Sequence, residues 1–141
     1  MKIIFIVAII FALSSDVLFS QTNCSNPVQL NICPDTILLN QTNAGMLDDA
    51  PPGINLIGED VVYQINVPVT TVRIHVAISN PAGVIYSRLV KNTCNNITGS
   101  STYTFTPGTN AYSFVVSGSS TYFLWLDCSS TVTFNLAVGA D

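Results

Sequence analysis

Charge is scarce in this chain: 4 Lys and Arg and 8 Asp and Glu among 141 residues, with one histidine and one tryptophan. Four basic residues at an overall pI near 4.5 provide no patch that could neutralise a phosphate backbone, which excludes nucleic acid as a partner. The lone His75 and the absence of any paired C-x-x-C spacing exclude a zinc centre. No serine stands in a Gly-x-Ser-x-Gly elbow, and no glycine pattern for phosphate binding occurs. His75 lies at outward parity beside Arg73 and reads as part of a solvated strand face, because a general base needs groups that converge on it. No catalytic residue is assigned.

Long apolar runs are also missing, with one short exception at the start. Met1-Lys2 leads into Ile3 to Leu13, and Ser14, Ser15 and Asp16 end the run well before the roughly 20 residues that a bilayer span requires. One positive charge, a short apolar core and a polar exit make a secretory signal over residues 1–20, with cleavage near Ser20-Gln21. Residues 21–141 are then a single domain, secreted or held at the cell surface, with no membrane span after cleavage.

What is abundant is Asn, Thr, Ser and β-branched residues in period-two alternation. Val61, Tyr63, Ile65 and Val67 alternate with Val62, Gln64 and Asn66, as Val72, Ile74, Val76 and Ile78 do with Arg73, His75 and Ala77, and Val132, Phe134, Leu136 and Val138 with Thr133, Asn135 and Ala137. Between them lie Val84 to Val90, Tyr103 to Phe105, Tyr112 to Val116 and Tyr122 to Cys128, separated by turn clusters such as Asn80-Pro81-Ala82-Gly83. Short strands with turns every 8 to 12 residues or so predict an all-β chain, an antiparallel β-sandwich of jelly-roll type. Residues 43–58 carry Gly, Asp and Pro without alternation and read as one long surface loop, the length at which loops tend to be functional.

Four cysteines in an exported chain imply two disulfides, for which three pairings exist. Proximity in sequence favours Cys24 with Cys33, which leaves Cys94 with Cys128.

The segment Asn26-Pro27-Val28-Gln29-Leu30-Asn31-Ile32-Cys33-Pro34, then Asn40 to Asp49, then Gly58-Glu59-Asp60-Val61-Val62-Tyr63, resembles the bacterial pre-peptidase C-terminal-like modules. The resemblance spans nearly all of residues 21–141 and rests on a loose pattern. It implies a β-sandwich accessory module without catalytic residues, used for adhesion or substrate targeting, and commonly joined to or associated with other exported domains.

Two candidate sites follow from residue chemistry. Asp48, Asp49, Glu59 and Asp60 bracket the long loop, and hard cations such as calcium take carboxylates from irregular loops of this kind. The second is aromatic. A strand apolar at every position from Tyr122 to Leu126 reads first as a central one, covered on both faces. With its second face open, Phe123 and Trp125 would instead form a stacking platform for an extracellular glycan or protein surface, with Tyr103 and Tyr112 as neighbours. The expected activity is binding or adhesion; the alternatives are a self-assembling subunit that lends a strand to its neighbour and a small secreted hydrolase.

Overall fold

The computed structural model describes residues 24–32, 35–46, 59–79, 81–94, 101–128 and 130–141. The leader at 1–20, Cys33, Asp48, Asp49 and most of the 43–58 loop lie outside the described residues.

Among the described residues nine strands form two sheets: β1 (Val28–Leu30), β2 (Thr36–Thr42), β3 (Asp60–Asn66), β4 (Arg73–Ser79), β5 (Ile85–Lys91), β6 (Ser101–Phe105), β7 (Thr109–Val115), β8 (Thr121–Cys128) and β9 (Thr133–Ala140). A five-stranded sheet runs β1-β3-β8-β5-β6 and a four-stranded sheet runs β2-β9-β4-β7. Strands β2 with β9, β3 with β8, β4 with β7 and β5 with β6 pair in a nested series, all antiparallel. One pairing departs from the antiparallel expectation: β1 runs parallel to β3. The long connection from Leu30 to Asp60 passes through β2 in the opposite sheet, and such a crossover permits a parallel edge.

Alternation places the core. Val61, Tyr63 and Ile65 on β3, Ile74, Val76 and Ile78 on β4, Leu124, Leu126 and Cys128 on β8, and Phe134, Leu136 and Val138 on β9 all face the space between the sheets. At the edge where β6 leads into β7, Tyr103 and Tyr112 stack at 4.5 Å between ring centroids, with Phe114 and Phe105 edge-on at 4.8 and 5.0 Å. These rings close that side of the sandwich.

The crossings between sheets are tied at both ends. The buried Asn43 amide donates to the carbonyls of Glu59 (3.0 Å) and Ser130 (3.1 Å), and its oxygen accepts from the Val132 N–H (2.7 Å). One side chain therefore satisfies three peptide groups from two separate crossings. At the other end the Gly118 turn packs on the 68–71 turn so closely that a β-carbon at Gly118 would lie 2.1 Å from the Val69 carbonyl oxygen. Only glycine permits that approach.

Candidate functional site

The two outer faces of the sandwich differ, and the difference decides where a partner can dock. On the five-stranded sheet β8 is the central strand, and its residues Phe123 and Trp125 point away from the main core by alternation. They are nevertheless covered, at 8% and 1% exposure. Val62 and Val90 flank them on β3 and β5, Cys94 and Cys24 pack on top, and the indole N–H of Trp125 donates to the Cys94 carbonyl at 3.2 Å. The exposed-platform reading is thus corrected in favour of the two-sided burial that a continuously apolar strand implies. Tyr103 and Tyr112 are no part of that cluster: they belong to the rings between the sheets, and the Tyr112 hydroxyl donates to the Thr104 carbonyl at 2.9 Å.

The cover is fastened by a disulfide that differs from the expected pairing. Cys24 bonds Cys94, with 5.6 Å between their α-carbons, in place of Cys24 with Cys33 and Cys94 with Cys128. The reason is parity. Cys128 shares a face with Leu124 and Leu126 and lies buried in the main core as a free thiol, whereas Cys94 lies over the opposite face of the same sheet. A sheet separates the two sulfurs.

Asp60 and Asp127 stand directly opposite each other on β3 and β8, both buried. Burial first, then the carboxylates of Asp127 and Asp60, push the Cys128 thiol up to about 12. Burial also raises the Tyr63 phenol above its ordinary range, with Cys128 adding to the rise. An unfolded thiol, ordinarily near 9, loses its proton above pH 9, while the folded one keeps it to about 12. The unfolded chain then binds fewer protons, so this contribution to stability is complete below pH 9 and is lost as pH rises from 9 towards 12. Denaturant titrations across that window should show a decline steeper by up to about 1.4 kcal/mol per pH unit in the parent than in Cys128→Ala, which keeps the part due to the buried Tyr63 phenol. Parallel curves for the two proteins would refute the assignment.

Of the four acidic candidates, Glu59 and Asp60 are described and Asp48 and Asp49 lie outside the described residues. Glu59 turns to the turn after β2, accepting from the Gly45 N–H at 3.1 Å and the Thr131 hydroxyl at 3.3 Å, while Asp60 faces Asp127 on the ladder. Among the described residues no cluster of three or more His, Cys, Asp or Glu could hold a metal.

The outer face of the four-stranded sheet is open. Its register aligns Ile37, Ala137, Ala77 and Ala111 in one row across β2, β9, β4 and β7. Gly139, His75 and Ser113 form the next row, with the Asp35 carboxylate filling the space over Gly139. Asp141 and Arg73 are joined through their backbones, and Arg73 pairs with Val115 in the row beyond. Large apolar side chains stand exposed at the margins: Ile37 at 68%, Leu39 at 64% and Val115 at 77%. Sequence reasoning had the outward parity of Ala77, Ala137 and His75 but missed Ile37 and Leu39, because contiguous Ile37-Leu38-Leu39 shows no alternation.

On this face the His75 imidazole bonds the Ser113 hydroxyl through Nδ1 at 2.8 Å and the Asp141 carboxylate through Nε2 at 3.0 Å. Serine, histidine and acid in line are the groups of nucleophilic hydrolysis. Here they lie on the exposed face of a sheet whose peptide N–H groups run in the plane of the ladder. The chain of bonds works as a strut that holds position 141 against β4.

No family model, curated protein or solved structure matches the chain. Among the described residues no helix is long and apolar enough to cross a membrane.

Proposed function

We propose that the protein is a non-catalytic exported contact module, secreted or held at the cell surface, that binds through the outer face of its four-stranded sheet. One observation carries this reading: that face is open, small-residued and rimmed by exposed Ile37, Leu39 and Val115, whereas the outer face of the other sheet is covered by its own apolar cluster and disulfide. Exposed apolar surface grouped on one face marks an interaction site. With so few charges, affinity comes from apolar area and amide or hydroxyl hydrogen bonds, which suits a glycan or a neutral protein surface. The leader and the Cys24–Cys94 bridge support export, since disulfides persist in oxidising compartments. The nested pairing of β2 to β9 supports a jelly-roll winding. The resemblance to bacterial pre-peptidase C-terminal-like modules agrees with an accessory role beside other exported domains.

The test uses labelled protein at nanomolar concentration on an array of glycans and matrix proteins. Ala77→Arg, at the middle of the face, should lower binding at least about tenfold, because a long cation there blocks close approach. Binding that survives Ala77→Arg would move the site elsewhere.

A further inference from the structure

We infer that the first occupant of this face is a second copy of the chain, packed sheet to sheet about a twofold axis that runs parallel to the strands between β9 and β4. The inference rests on the reading of this face as a docking surface. It adds the partner and the geometry.

A twofold along that line keeps each row of residues opposite itself and exchanges β9 with β4 and β2 with β7. Each row is complementary under that exchange. In the apolar row, the exposed Ile37 lands on the partner's Ala111, and Ala137 lands on the partner's Ala77. Large meets small at the rim and small meets small at the centre, which lets two sheets approach to the roughly 10 Å of ordinary sheet packing. In the row beyond His75, Asp141 faces the partner's Arg73, and Arg73 faces the partner's Asp141. In the row between, Asp35 over Gly139 faces the partner's His75. Towards the other end of the strands, Asn135 meets the partner's Ser79, an amide against a hydroxyl. Arg73 and Asp141 thus each meet their opposite across the twofold. A twofold across the strands would instead set the Arg73 and Asp141 row against the end that carries Leu39 and Asn135.

The area is adequate for a reversible dimer. Three strands of seven residues and one of eight cover a plane of about 450 Å² per copy. With side-chain relief and the rim, the buried total reaches about 1,200 Å², the lower bound for specific complexes. Such an interface holds in the micromolar range and opens on dilution, so self-association covers the binding face at high concentration and frees it at low.

Sedimentation velocity of the protein from nanomolar to hundreds of micromolar tests this. The expected result is a monomer to dimer transition without larger species, abolished by Ala77→Arg. Arg73→Asp and Asp141→Arg should each weaken the dimer at least about tenfold by setting like charges face to face, and the double variant should restore it. Thermal melting of dilute Ala77→Arg, unchanged from the parent, confirms that its monomer is folded. A parent that stays monomeric throughout, open-ended polymers, or a dimer indifferent to these substitutions would overturn the inference. The two readings fail separately. A monomer whose array binding is lost in Ala77→Arg removes the dimer and leaves the binding face, while a dimer broken by Ala77→Arg with array binding intact keeps the dimer and removes the proposed ligand site.

Discussion

Trp125→Ala should cost about 3 to 5 kcal/mol of folding stability, read as a large fall in the denaturant midpoint and a melting temperature lower by more than about 10 °C. The indole is the largest fully buried side chain, and it lies on the central strand of its sheet. Truncation opens a cavity lined by Val62, Val90, Phe123 and the Cys94 backbone, which cross-strand pairing and the disulfide prevent from collapsing. It also leaves the Cys94 carbonyl without the indole N–H. Trp125→Phe separates the two effects: it keeps most of the apolar area and forfeits the hydrogen bond, so its cost should be about 1 to 2 kcal/mol. A fully stable Trp125→Ala protein would mean that this outer face is open, and the aromatic platform would return as the binding site.

Breaking the Cys24–Cys94 bridge should have an effect of similar size. The bond joins positions 70 residues apart, and closing a loop of that length restricts the unfolded chain by about 4 kcal/mol. A bridge from Cys24 to Cys33 would close a far shorter loop and stabilise less. Replacing both Cys24 and Cys94 by Ser should therefore lower stability by about 4 kcal/mol, and the loss should add to that of Trp125→Ala less than fully because the two share one cluster. Peptide mapping without reduction should recover Cys24 linked to Cys94. It should also find Cys128 unreactive towards thiol reagents until the protein is denatured, since the thiol is buried and protonated. A Cys94 to Cys128 peptide would refute the placement of these residues on opposite faces of the sheet.

These two results turn on residues that the sequence marked but assigned ambiguously. Tyr122 to Leu126 is apolar at every position, and that pattern carries a central strand whether its second face meets a lid or a ligand. Cys94 follows a strand and Cys128 ends one, and distance along the chain says nothing about which side of a sheet each one faces. The strand β2 was harder still. Its Ile37 and Leu39 face out and its Leu38 faces in, so no polar alternation marks it, and Asn40, held at a φ of 52° where the register slips, interrupts the period. The acidic pair Asp60 and Asp127 was legible only as two unrelated residues, 67 positions apart, until pairing of β3 with β8 set them side by side.

By itself the sequence determined the all-β class, most strand positions, the inward side chains of β3, β4, β8 and β9 and the scarcity of charge, because period-two alternation and composition are local properties of the chain. Only the tertiary structure decided which outer face is covered, which cysteines meet and which of the aromatic and acidic candidates come together. Alternation tells which side chains share a face of a strand; what lies against that face is supplied by segments distant in sequence, and no local period records their arrival.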